Sequence, residues 1–85
     1  MYYVYTLQSK KTKKLYIGRS QELKQRFDDH NAGKVKSTKS SRPWKIIFYE
    51  AFFDKKDSIR DEKFFKSGYG REALREKLKY SIINK

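Results

Sequence analysis

The sequence predicts an α+β fold: a three-stranded, mainly antiparallel sheet flanked by three helices, in the order ββαβαα. Three observations predict it. Residues 2–7 and 15–18 are short runs rich in aromatic and β-branched side chains, separated only by polar residues, which is the pattern of an antiparallel hairpin. Apolar positions then change to helical spacing at Leu23 and Phe27, and again at Leu74, Leu78 and Ile82. Between these segments lies the most apolar run of the chain, residues 46–52, which reads as a buried strand. A sheet covered by helices is the simplest arrangement of such elements.

Each element has local support. In the first strand Tyr3, Tyr5 and Leu7 share one face, and Tyr2, Val4 and Thr6 share the other. Residues 8–14 contain no apolar side chain and read as a turn. If Val4 packs with Leu15 and Ile17, then Tyr5 and Tyr16 come to the same side of the sheet. Ser20 is placed to cap the first helix, residues 22–31, and Gly33 to stop it. Pro43 stands at the start of the third strand, where its missing N–H does little harm. Asp54 or Asp57 caps a second helix that runs to about Lys66. The segment 67–70 breaks it, and a last helix covers about residues 71–83.

The chain has 85 residues, which is enough for one domain, residues 1–85, and leaves no room for a second core. Lys and Arg number 22 against 10 Asp and Glu, a net charge of +12. Aromatic residues reach 16 %, which separates this chain from a disordered basic tail. Such an excess of positive charge attracts polyanions, nucleic acid first and an anionic membrane surface second. Cysteine is absent, which favours a reducing, cytoplasmic setting and excludes thiolate metal sites. No secretory leader and no apolar run of membrane-spanning length is expected.

The charge is concentrated in the first half. Residues 34–45 hold Lys34, Lys36, Lys39, Arg42 and Lys45 with no acid, among Ser and Thr and just after Gly33. The composition reads as a mobile loop, and its cations and hydroxyls suit phosphate oxygens.

Several side chains carry chemistry. Glu62 lies between Ile59 and Phe65 in helical projection, so its carboxylate stands beside the inward face of its helix. An inward acid must be paired or must hold a cation. Its plainer reading is an i, i+4 pair with Lys66. Arg26 and His30 stand one turn apart at the edge of the Leu23–Phe27 stripe; Arg26 can pair with Glu22, and His30 can be a packed ring.

The order of these residues is more specific than any one of them. Tyr3-Val4-Tyr5, a ten-residue spacer and Tyr16-Ile17-Gly18, followed by Arg26, His30 and Glu62, resemble the paired motifs of the GIY-YIG nuclease superfamily. The resemblance covers nearly the whole chain and is nearest to the small stand-alone bacterial members. Tyr3 stands where the motif has Gly and Val4 where it has Ile, while Tyr5 is kept. No residue matches the asparagine that some members carry near the end of the domain, because Asn84 comes too late.

The resemblance implies hydrolysis of a DNA phosphodiester with one divalent ion, Mg²⁺ or Mn²⁺. Glu62 would hold the ion, which keeps several waters, so that one carboxylate suffices. Arg26 would stabilise charge on the phosphoryl oxygens. Tyr5 would be the general base, and Tyr16 would position phosphate or water. A tyrosine with a pKa near about 10 is a poor base at neutral pH. Help would come from a cation such as Arg19 or from a proton acceptor such as His30. Gly18 would end the second strand and let the backbone turn toward the helix. Arg19, Lys34, Lys36, Lys39, Arg42 and Lys45 are the candidate nucleic-acid contacts.

Two functions are therefore expected. One is a metal-dependent DNA endonuclease with little sequence preference of its own, serving repair or recombination, with a partner protein delivering the substrate. The other is a catalytically weak or inactive module that grips DNA or RNA through the same basic surface. The sequence leaves the oligomeric state open.

Overall fold

The computed structural model describes residues 1–83, so Asn84 lies outside the described residues. The elements follow the order β1 (Tyr2–Ser9), β2 (Leu15–Ser20), α1 (Leu23–Asn31), a short 3-10 helix (Lys39–Ser41), β3 (Trp44–Phe52), α2 (Lys55–Lys66) and α3 (Gly68–Lys77). The sheet order is β2-β1-β3, and both pairings are antiparallel.

β1 is the central strand, which explains why it is buried from Val4 to Ser9. Its two faces serve two cores. Val4 and Ile17 pack with Phe65, Leu74 and Leu78 under α2 and α3. Tyr5, Leu7 and Trp44 pack with Tyr16, Leu23, Phe27 and Ile46 under α1. The expected sharing of a face by Tyr5 and Tyr16 follows from the register, in which Tyr5 opposes Gly18 and Leu7 opposes Tyr16.

Several assignments differ from expectation, among them the end of α3, which falls at Lys77 rather than near residue 83. Gln8 and Ser9 belong to β1 rather than to the turn. The buried Gln8 amide donates to the carbonyls of Lys13 and Ile83 and accepts from the Ile83 N–H, so its polarity is satisfied inside the fold. The most apolar run forms the edge strand β3 and is half-buried, with Tyr49 exposed. A bulge between the pairings of Thr6 and Leu7 lets consecutive Ile47 and Phe48 pack against the same core. Ser20 does not cap α1; its hydroxyl accepts from the N–H of Glu22, the residue just before the helix. α3 begins at Gly68, because the Ser67 hydroxyl accepts from the Gly70 N–H and caps it.

Other signals are met. Asp54 caps α2 through the Lys56 N–H at 2.8 Å. Gly33, at φ 78°, closes α1 as the left-handed residue of a Schellman turn, with Lys34 N–H on Asp29 O and Gly33 N–H on His30 O. The basic segment is pinned rather than mobile. Asn31 clamps the Trp44 backbone from both sides, the Trp44 indole N–H donates to Thr38 O at 2.9 Å, and the Ser9 hydroxyl donates to Ser41 O. No helix among the described residues is long and apolar enough to cross a membrane.

Candidate active site

The sheet supplies the floor of the site. Tyr5 is fully packed, and its ring lies over Gly18 on the neighbouring strand. A Cβ at Gly18 would collide with the Tyr5 hydroxyl and Cζ. Gly18 therefore does not end β2, which continues to Ser20; it makes room for a phenol. The Tyr16 ring sits 6.5 Å from Tyr5, between centroids, and 4.9 Å from the His30 imidazole.

α1 brings His30 down onto these rings. The Tyr5 hydroxyl is 2.9 Å from His30 Nε2, and His30 Nδ1 is 2.8 Å from Thr38 Oγ1. The Thr38 hydroxyl has one proton, which it donates to the Val35 carbonyl. With that proton on Val35 O, the Thr38 oxygen can accept from Nδ1–H, the tautomer that turns the Nε2 lone pair to the Tyr5 O–H. Burial, and then repulsion from Arg26, push the His30 pKa down, against the opposing pull of Asp29. Both effects favour the neutral imidazole.

Burial pushes the Tyr5 pKa up to about 12. Arg26 works against this shift through its donors and charge, while Tyr16 and Glu62 add to it. The free phenol is therefore protonated at neutral pH.

Glu62 comes from α2, on the other face of the sheet, yet its charge is felt at Tyr5. Its side chain is 21 % exposed and lies between Lys66 Nζ at 3.1 Å and Arg19 Nε at 3.7 Å. Both earlier readings hold at once: Glu62 faces inward, and it pairs with Lys66. Arg19 Nε is buried and makes no hydrogen bond among the described residues, so this cation is committed to the carboxylate. No Arg26–Glu22 ion pair occurs among the described residues, which leaves Arg26 turned toward Tyr5. No three His, Cys, Asp or Glu side chains gather into a metal-binding group among the described residues. One partly exposed carboxylate fits a Mg²⁺ or Mn²⁺ ion that keeps most of its water shell, not an ion caged by protein.

The structure packs Tyr5, Tyr16 and His30 against one another, with Arg26 beside Tyr5 and Glu62 close enough for its charge to raise the Tyr5 pKa. The loop cations surround it unequally. Lys36 and Lys39 are exposed, Lys34 lies 3.9 Å from Asp29, Arg42 folds back over Gly33 with Nε on Lys39 O, and Lys45 is half-buried in β3. Sequence reasoning missed Thr38, a buried hydroxyl between exposed Ser37 and Lys39 in the basic stretch. Its only sequence mark is a place in that stretch eight residues after His30.

Residues 1–78 match the family model described as the GIY-YIG catalytic domain. The chain belongs to the GIY-YIG family. It is 37 % identical over 79 residues to a UPF0213 protein of Streptococcus pyogenes, covering 92 % of this chain and 82 % of that one. It is 38 % identical over 69 residues to a UPF0213 protein of Pediococcus acidilactici, covering 78 % of this chain and 66 % of that relative's length. The solution NMR structure of a UPF0213 protein from Bacillus halodurans is similar at a TM-score of 0.55 and 30 % identity, covering 89 % of this chain and 84 % of that one. Membership places this GIY-YIG domain in a nuclease family whose members generally depend on a divalent metal.

Proposed function

We propose that this GIY-YIG domain is a metal-dependent endonuclease that hydrolyses DNA phosphodiester bonds with little sequence preference, as a strand-processing enzyme of repair or recombination. The observation that supports the reading is the Tyr5–His30–Thr38 contact chain, which in the Nδ1–H tautomer leaves Nε2 free to accept.

In the proposed reaction a water attacks phosphorus in line with the leaving oxygen. Its proton passes to the Tyr5 oxygen as the phenolic proton moves to His30 Nε2, so Tyr5 never has to exist as a free phenolate at neutral pH. The new P–O bond forms while the P–O bond to the leaving sugar oxygen breaks, and that oxygen takes a proton from solvent. Nδ1–H on Thr38 keeps the imidazole aligned throughout. Arg26 offers a planar fork of donors to the phosphoryl oxygens, and Tyr16 positions phosphate or water. A Mg²⁺ or Mn²⁺ ion on Glu62 would supply Lewis-acid stabilisation of the phosphate charge.

Nicking of supercoiled plasmid tests the reading. Wild type is expected to nick only with Mg²⁺ or Mn²⁺ and to stop in EDTA, and Glu62→Ala is expected to be inactive. Equal nicking by wild type and Glu62→Ala would overturn it. Metal-independent nicking would do the same.

A further inference from the structure

We propose that the groove between β2 and α3 is a second phosphate track, which seats the sugar–phosphate backbone of a DNA strand beside the candidate active site. The groove has a volume of about 410 Å³, and none of the side chains lining it is acidic. Lys14, Lys66, Arg71 and Arg75 line it, over an apolar floor that includes Ile17 and Leu74. Lys14, Arg71 and Arg75 form no ion pair among the described residues, so their charge is available to an incoming anion. Arg71 and Arg75 stand one turn apart on α3, about 6 Å along its axis, and present two cations in a row.

Continuity with the site selects the occupant. Tyr16 lines the groove and also packs on His30, with ring centroids 4.9 Å apart. Lys66 lines it and also holds Glu62 at 3.1 Å. Tyr16 and Lys66 thus link the groove to the candidate site. The Lys34–Lys45 segment approaches that site from the α1 side through Thr38, so cations flank it on two sides. A cationic wall over an apolar floor, open to a phosphodiester-handling centre, matches a polyanion with sugars and bases between its charges. The proposal deepens the nuclease reading, but its test reads binding rather than turnover.

The experiment measures the affinity of a labelled duplex oligonucleotide against salt, in EDTA, by fluorescence anisotropy. It compares wild type, Arg71→Gln with Arg75→Gln, and Lys55→Gln with Lys56→Gln at the distant start of α2. The α3 pair is expected to lower the log–log salt slope by about 0.9 per lost phosphate contact, and the α2 pair to leave it unchanged. If circular dichroism shows the α3 pair unfolded, Lys14→Gln with Lys66→Gln reads the opposite wall, with the same expectation. An unchanged slope in a folded groove variant, or an equal drop in the α2 pair, overturns the proposal. A lowered slope in the groove variants, together with wild type that does not nick, leaves the groove standing and removes the hydrolase reading alone.

Discussion

The Tyr5 hydroxyl and His30 Nε2 face each other at 2.9 Å inside the fold, and Thr38 Oγ1 lies 2.8 Å from His30 Nδ1. The Tyr5 pKa is raised to about 12 and the His30 pKa lowered, so proton transfer between them in the resting protein is uphill. It proceeds only when it is coupled to bond formation between the attacking water and phosphorus, which makes the water's proton acidic. The nicking rate is therefore expected to depend on neutral His30. It should fall as pH drops below the ordinary imidazole range, near about 6.5, and should not need alkali to rise to its plateau. A rate profile between pH 5 and 9 checks this; a maximum in acid would reverse the direction of transfer.

Gly18→Ala places a methyl group where the Tyr5 hydroxyl and Cζ now lie. Tyr5 is packed on all sides, so the ring has no room to yield. Overpacking of this kind costs about 1–3 kcal/mol, and displacing the phenol from His30 should also remove activity. Urea denaturation and plasmid nicking should both report the change. Stability and activity equal to wild type would mean that the ring moves freely.

Much of this arrangement was legible in the sequence because it rests on local rules. Alternation along β1 and β2 puts Tyr5 and Tyr16 on one face, helical spacing sets Arg26 and His30 together, and Glu62 stands inward between Ile59 and Phe65. What was not legible depends on packing between distant elements. Nothing in the spacing of Gly18 says that a ring from the next strand will cover it. Asn31, Thr38 and Trp44 look like ordinary loop and helix-end residues until their hydrogen bonds close around His30 and β3. Counting charge by halves of the chain pointed to residues 34–45 and away from Lys66, Arg71 and Arg75, which only the docking of α3 on β2 brings beside Tyr16.

Thr38 acts through His30 as a positioning residue. Thr38→Val keeps shape but removes the acceptor for Nδ1–H, leaving a buried donor unpaired at a cost of about 1–3 kcal/mol. The imidazole is then free to adopt the other tautomer, with its proton on Nε2 and no lone pair toward Tyr5. Nicking is expected to fall on the order of 10²-fold with DNA affinity unchanged, and Thr38→Ser should restore it. Nitrogen NMR of His30 reads the tautomer directly. An unaltered tautomer in Thr38→Val would remove the positioning role.

Far from this chemistry, Glu50 of β3 and Asp61 of α2 bring two carboxyl groups together between strand and helix. Burial, then a hydrogen bond to Glu50, then the charge of Glu50, push the Asp61 pKa up to about 7, against the opposing pull of Lys77. Glu50 Oε1 and Asp61 Oδ2 are buried with no other hydrogen-bond partner, so a proton between the two groups is what makes the contact tolerable. The folded pKa lies above the unfolded value of about 3.9, so the native state binds the proton more tightly. This contribution is fully present below about pH 4 and is lost as pH rises through 7. His30, with its pKa lowered by folding, works in the opposite direction on the acid side, so the wild-type curve alone mixes the two. Asp61→Asn separates them: it keeps a hydrogen bond to Glu50 at every pH and leaves His30 untouched. The melting temperature of wild type, measured against that of Asp61→Asn, is expected to drop between pH 5 and pH 8. A difference between the two proteins that stays constant over that range would show that the carboxyl pair does not share a proton.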